Sequence, residues 1–128
     1  MSPRPNMKAR LDPAVLRAAW WAVQAQRQAR LGLERQGLQS APLPRPPRLP
    51  SRAEHGVHAA LRRTGATCLV RAMVLQAWQA SSGPAPDVVI GVTAPSQGFR
   101  AHAWLDGEPA CHNDGFEELT RLRSPSAL

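Results

Sequence analysis

Three residues in the second half of the chain have the types and the order of a thiol-based catalytic site: Cys68, His102 and Asp114. A cysteine thiolate is a nucleophile, and a neighbouring histidine takes the thiol proton and later gives it to the leaving group. A carboxylate then holds the imidazole in the productive tautomer. Cysteine, histidine and aspartate occur in most sequences, so this triplet has meaning only through the elements that position it.

Cys68 is predicted to begin a helix. It follows a glycine-containing turn in which Thr64 and Thr67 are both residue types that cap helices, and the apolar residues after it recur at helical spacing. A helix N-terminus carries roughly half a positive charge, which favours a thiolate over a thiol. The alternative interpretation is a small, buried core residue.

The chain after residue 80 predicts a small sheet. Strands are expected at Asp87–Thr93, Phe99–Leu105 and Glu108–His112, and a short helix or irregular tail at Phe116–Arg123. Alternation along the second strand places His102 and Trp104 on one face, where the indole would shield the site from water. Asp106 and Gly107 predict the hairpin turn after it. We therefore expect an antiparallel meander that ends at Asp114.

The first half of the chain predicts two helices and a connector. The first helix should run from Asp12 and Pro13 to Gln36, with Gly37 as its stop. Its apolar stripe is expected to form core, with docking of a partner as the alternative. The stripe consists of Val15, Leu16, Ala19, Trp20, Val23 and Leu31. Five prolines make residues 38–50 an extended connector.

A second helix is expected to start at Ser51, where Glu54 would complete a capping box. His55 and His58 on this helix have no carboxylate or thiol at ligand spacing, so we expect both in solvent. The predicted fold is α+β, with N-terminal helices packed on a small antiparallel sheet. We divide the chain into an N-terminal helix with its connector (1–50) and a core unit (51–128).

Composition and charge narrow the function classes. The chain is 43% hydrophobic, and no apolar run approaches the roughly eighteen residues of a membrane span. The charged N-terminus lacks the apolar core of a secretory signal, so we expect a cytoplasmic protein without a disulfide. Residues 1–63 hold 12 Lys or Arg against three acidic residues, and 64–128 hold four Arg against six. No nucleic-acid motif accompanies this charge, so we do not expect nucleic-acid binding.

Three sequence motifs carry a family resemblance. They are the run from Cys68 to Leu75, the tetrapeptide from Val89 to Val92, and the run from Gly98 to Leu105. In this order and spacing they resemble the transglutaminase-like peptidase of lasso-peptide biosynthesis, the protease half of the B protein, over about residues 57–115. The resemblance implies a transglutaminase/papain-like cysteine protease fold and removal of the leader from a precursor peptide.

The resemblance also implies the site residues. The family's cysteine falls on Cys68, its histidine on His102, and its acid on Asp114 in the pair that begins at Asn113. The hairpin strand here is shorter than is common in the family, which leaves Asp106 as the alternative acid. A strand residue four positions from His102 lies about 13 Å away, too far for a direct hydrogen bond, so we prefer Asp114.

The partners follow from the same resemblance. A separate leader-binding protein would present the precursor peptide, and an ATP-dependent synthetase would close the macrolactam ring. Residues 1–50 are too short and too rich in proline for a leader-binding domain, and we expect no cofactor in this chain, since it has no phosphate-cradling glycine motif. Two alternatives stay open: a non-catalytic basic binding module, and a metal site of Cys68, His102, Cys111 and His112. Adjacent Cys111 and His112 would point to opposite sides of a strand, which argues against the metal site.

Overall fold

The computed structural model describes residues 12–37, 43–93, 98, 100–108 and 115–123. The helices are α1 (Pro13–Gln36), α2 (Glu54–Arg63) and α3 (Cys68–Ala80), with a 3-10 turn at Ser51–Ala53. The strands are β1 (Val88–Thr93), β2 (Ala101–Leu105) and β3 (Phe116–Leu122). The predicted α+β class is confirmed. No helix in the described ranges is long and apolar enough to cross a membrane.

Helix α1 begins and ends where its capping residues predict. The Asp12 carboxylate accepts a hydrogen bond from the Ala14 backbone N–H at 2.9 Å, and Gly37 ends the helix with a φ of 67°. Arg52 donates to the same carboxylate at 2.8 Å, which holds the pKa of Asp12 below its usual value. The start of α1 is therefore tied to the 3-10 turn 40 residues later.

The capping box predicted at Ser51 is wrong. No side chain caps either the 3-10 turn or α2, and α2 begins only at Glu54. Pro50 precedes the turn in extended conformation and sets its entry. The first residues of the predicted helix therefore form a tighter 3-10 turn.

The core-facing side of α1 is the opposite of the one that its large apolar residues predict. Its fully buried apolar positions are all alanine: Ala18, Ala22, Ala25 and Ala29. Leu16, Trp20, Val23 and Leu31, predicted as core, are exposed by 54, 65, 39 and 41%. The reason is close packing of the helices, since a Cβ on Gly56 of α2 would overlap the Val15 carbonyl oxygen. Only small residues fit where the helices approach this closely.

One tryptophan of the adjacent pair anchors α1 to the rest of the core. Trp21 is 4% exposed and its ring centroid lies 5.6 Å from that of Trp78 on α3. Its indole N–H donates to the Pro44 carbonyl at 3.0 Å, which fixes the proline-rich segment against the helix. Leu43 and Leu49 of that segment also pack against the core. The connector is thus part of the packed structure.

The described sheet is antiparallel in the order β2-β1-β3, and the pairing of β1 with β2 is the first hairpin of the predicted meander. The segment from Phe116, predicted as helix or tail, is strand β3 and pairs with the second edge of β1, which satisfies backbone groups that a lone edge would leave unpaired. The strand expected after the hairpin falls largely outside the described residues, and Glu108 lies in a bend.

Helix α3 packs on one face of this sheet. Val88, Ala103 and Leu105 share the core with it. The Gln76 side-chain amide donates to the Pro86 carbonyl at 3.1 Å and to the Leu122 carbonyl at 2.9 Å. One buried helical side chain therefore fixes the start of β1 and the end of β3.

The tryptophan pair gives a direct test of this packing. Trp21→Ala should lower the free energy of unfolding by about 3–5 kcal/mol, because it removes a buried indole and leaves a cavity. Trp20→Ala, one residue earlier, should change it by less than about 0.5 kcal/mol, because that indole is exposed. Urea unfolding followed by circular dichroism measures both, and equal losses would contradict the assignment of faces.

Candidate active site

Cys68 is the first residue of α3, as predicted. Thr67 caps the helix: its hydroxyl accepts from the Val70 backbone N–H at 3.3 Å, and Gly65 turns the chain with a φ of 65°. The Cys68 thiol is free and half-buried, and its side chain packs partly against the core. The thiol thus lies at a helix start with part of its surface open to a substrate.

Two backbone donors accompany the thiol. Among the described residues nothing accepts from the backbone N–H groups of Cys68 and Leu69, which precede the first capped donor of α3. Unpaired N–H groups at a helix start stabilise negative charge, because the helix dipole adds to their own. They are therefore placed to bind the oxyanion that develops on a substrate carbonyl oxygen when the Cys68 sulfur attacks the carbonyl carbon.

An ion pair connects this helix start to the strand that carries the histidine. The Arg71 guanidinium, one turn after Cys68, lies 3.4 Å from the Glu108 carboxylate, and that carboxylate also accepts from the Leu105 backbone N–H at 3.3 Å. The first turn of α3 is thereby linked to the end of β2. This contact could not be predicted from the sequence, because 37 residues separate its partners.

His102 lies between two aromatic rings. Its ring centroid is 5.7 Å from that of Trp104, in a stacked arrangement, and 5.4 Å from that of Phe116 on β3. Gly91 pairs with His102 across the strands, and a Cβ there would come within 2.6 Å of the Trp104 indole. The absence of a side chain at Gly91 therefore lets the indole lie across β1 beside the imidazole.

The structure does not bring Cys68 and His102 into contact. Within the described residues no hydrogen bond joins the thiol to the imidazole. Ala103 and Leu105 of β2 face α3, so alternation turns His102 to the other face of the strand. The two predicted catalytic groups are held by packed elements but are not paired.

The structure describes only one of the two candidate acids. Asp114 lies outside the described residues. Asp106 is exposed and accepts from Arg121 at 2.9 Å, beyond the end of β2 that is distal to His102. Arg121 also binds Glu118 through two contacts of 2.8 Å, which lowers the pKa of Glu118. Asp106 therefore belongs to a surface ion-pair cluster on β3, and the structure does not bring it to His102.

Comparison with known proteins identifies the fold family. Residues 12–124 match the sequence profile of the transglutaminase-like superfamily. The chain belongs to this superfamily. The match covers α1, the helix that begins at Cys68 and all three strands described above, and the superfamily includes cysteine proteases. Searches of curated proteins and of solved structures give no significant match.

The described part of this transglutaminase-like domain contains no group of three or more His, Cys, Asp or Glu residues that could hold a metal ion. Cys111 and His112, which the metal-site alternative requires, lie outside the described residues. The described site is thus built from a thiol, an imidazole and backbone donors.

A second histidine lies near the start of α3 in this transglutaminase-like domain. His58 of α2 was expected in solvent, but it is half-buried and its burial lowers its pKa. Of the charged groups around it, Glu54 raises the pKa, while Arg62 and His55 on α2 and Arg71 on α3 lower it. Burial, and to a smaller extent the surrounding positive charge, therefore disfavour the protonated form of His58.

This environment predicts a pH dependence of stability. The folded protein disfavours protonated His58. The contribution of this histidine to the free energy of unfolding is therefore fully present above the unfolded pKa of about 6.5. It is lost as pH falls through the lower pKa of the folded state. We expect the free energy of unfolding to decrease less between about pH 7.5 and about pH 5.5 for His58→Gln than for the wild type. Urea unfolding at the two pH values measures this decrease. His55→Gln, at an exposed position one turn earlier, is the control and should retain most of the wild-type decrease, because His55 makes the smallest contribution to the lowered pKa of His58.

Proposed function

We propose that this chain is a cysteine endopeptidase that removes the leader from a lasso precursor peptide. Three observations support the proposal: membership of a superfamily that includes cysteine proteases, the three motifs that resemble the lasso peptidase, and the placement of the thiol. The position of the thiol is the strongest of the three, because Cys68 is the first residue of a capped helix and lies beside two unpaired backbone donors. That arrangement suits a nucleophile whose attack produces an oxyanion on the carbonyl oxygen of the substrate.

The proposed reaction runs through an acyl-enzyme. His102 takes the proton of the thiol, and the Cys68 sulfur attacks the carbonyl carbon of the scissile peptide bond. The backbone N–H groups of Cys68 and Leu69 bind the oxyanion. His102 then protonates the leaving amine as the C–N bond breaks, and a thioester remains. Water, deprotonated by His102, attacks the thioester and releases the leader carboxylate and the free thiol.

The thiol and the imidazole must approach each other in this mechanism. Catalytic hydrogen bonds are often long or absent in an unliganded enzyme and tighten in the substrate complex. Strand β2 is an edge of the described sheet, so the His102 ring has to reach the helix start around that edge. The ion pair between Arg71 and Glu108 keeps the end of β2 next to α3, which limits the movement needed.

The proposed partners follow from the type of reaction. A separate leader-binding protein would present the precursor peptide to the peptidase, and an ATP-dependent macrolactam synthetase would act on the released core peptide. Asp114 is the proposed acid that orients His102. No cofactor is required, because the chemistry needs only the thiol, the imidazole, the carboxylate and water.

A non-catalytic binding module on the same fold is the second candidate. The observation that favours it is that no hydrogen bond joins Cys68 to His102 among the described residues. Alkylation by iodoacetamide at neutral pH distinguishes the two functions. In a Cys111→Ala background, which leaves a single thiol, rapid modification of Cys68 supports the peptidase and an inert Cys68 supports the binding module.

The nucleophile is tested by substitution. Cys68→Ala should lower the rate of leader cleavage by about 10⁴-fold or more, because no other group in the site can form the thioester. Cys111→Ala, at the second cysteine, should leave the rate nearly unchanged. Mass spectrometry of a precursor peptide, incubated with and without the leader-binding protein, measures both rates. Undiminished cleavage by Cys68→Ala would exclude the proposed mechanism.

The acid is tested by a matched pair of variants. Asp114→Asn should lower kcat by about 10³-fold or more, because the amide would stabilise the wrong imidazole tautomer. Asp106→Asn should change kcat by less than about threefold and act mainly on stability, because its carboxylate binds Arg121. The same mass-spectrometric assay applies, and the reverse ranking would assign the role to Asp106.

A further inference from the structure

The outer face of α1 carries an apolar stripe, which Arg27 interrupts between Val23 and Leu31 and beyond which Glu34 follows. It consists of Leu16, Trp20, Val23 and Leu31, which are exposed by 39 to 65%. At about 100° per residue these positions fall within an arc of about 80°, directly opposite the buried alanines of the same helix. The stripe is about 22 Å long. Single exposed apolar residues are ordinary, but a stripe of large side chains opposite a core face of methyl groups is typical of an interface.

Shallow depressions flank the stripe on both sides. One lies between α1 and the proline-rich segment and is lined by Leu16, Trp20 and Pro47, among others. The other lies beside Val23 and Leu31. A stripe of large side chains between two depressions matches the ridge-and-groove relief by which one helix packs on another.

Positive charge predominates around the stripe, with four arginines against Glu34 among the residues that line the depressions. Arg17, Arg27 and Arg30 on α1 and Arg45 on the proline-rich segment are all exposed and line the two depressions. None of the four forms an ion pair within the described part of the chain. Unpaired arginines around an apolar centre are complementary to a surface with an apolar centre and an acidic rim.

We propose that this face of α1 binds an acidic amphipathic helix of a partner protein. The apolar side of that helix would cover Trp20 and its neighbours, and its flanking carboxylates would pair with the four arginines. A second copy of this chain is a poorer occupant, because it would place Arg17, Arg27 and Arg30 of both copies together. Nucleic acid is also a poorer occupant, because phosphates gain nothing from Leu16, Val23 and Leu31.

The proposed surface is independent of the thiol chemistry. Trp21 and the buried alanines face the core that contains α3, whereas the stripe faces the opposite way. Cys68 lines neither of the two depressions beside the stripe. Cys68→Ala should bind the partner helix as the wild type does, so failure of the proposed peptidase activity and failure of this interaction can be told apart.

The test uses the full chain and three synthetic peptides. The probe is a helical peptide of about 21 residues with leucines at the heptad a and d positions and glutamates around them. In one control peptide lysine replaces glutamate, and in the other serine replaces leucine. Fluorescence anisotropy of labelled peptides should show saturable binding of the acidic amphipathic probe alone.

Matched variants locate the binding face. Trp20→Glu and Val23→Glu should each weaken binding of the acidic probe by at least about tenfold, because they place a carboxylate in the apolar stripe. Gln28→Glu makes the same charge change at an exposed position of α1 outside the stripe, and should stay within about threefold of wild type. Circular dichroism confirms that each variant is folded.

The proposal would be overturned if the acidic probe did not bind, or if the lysine peptide bound as tightly as the acidic probe. It would also be overturned if Gln28→Glu weakened binding as much as Trp20→Glu does, or if the stripe had a different occupant. A second copy would be detected as a dimer by multi-angle light scattering that Trp20→Glu converts to monomer. Nucleic acid would be detected as binding of a labelled RNA oligonucleotide that Trp20→Glu abolishes.

Discussion

The burial of helix α3 between α1 and the sheet is the constraint on which the rest of the structure depends. Seven of its 13 residues are buried: Val70, Ala72, Met73, Val74, Leu75, Gln76 and Trp78. One side of the helix receives the Trp21 ring of α1, and the other receives Ala103 and Leu105 of β2. A helix packed on both sides cannot shift without opening two contacts. The position of Cys68 at its start is therefore fixed by the core.

The histidine is positioned by a different kind of contact. His102 lies on the face of β2 that α3 does not cover, next to Trp104 and Phe116. Its surroundings are aromatic rings and a strand without a side chain at Gly91. Helix packing thus fixes the position of the thiol, and packing of aromatic rings fixes the position of the imidazole. The ion pair between Arg71 and Glu108 is one described link between the two regions.

Features set by neighbouring residues could be predicted from the sequence, and features set by distant ones could not. Asp12 and Gly37 bound α1 because capping and positive φ are local properties, and Thr67 caps α3 for the same reason. The periodicity of α1 shows which residues share a face, but not which face is covered. That depends on the elements packed against the helix, such as α2, whose Gly56 lies against the α1 backbone at Val15 and Ala19.

The sheet and the site follow the same rule. Strand β3 could not be predicted, because the sequence from Phe116 does not alternate clearly between apolar and polar residues. The segment is a strand because it pairs with the open edge of β1. The position of Cys68 at a helix start could be predicted, since turn and cap are adjacent to it. The half-burial of His58 depends on packing that no local pattern encodes, and Asp114 stays a prediction.

The close approach at Gly56 also has a mechanical consequence. Because the α-carbon of Gly56 lies against the Val15 backbone, and a Cβ there would also come within 3.1 Å of the Ala19 nitrogen, no side chain separates α1 from α2 at this point. Any larger residue at position 56 would push the two helices apart. Since α2 leads through a short turn into Cys68, a change in the packing of the first two helices would in this way displace the approach to the thiol.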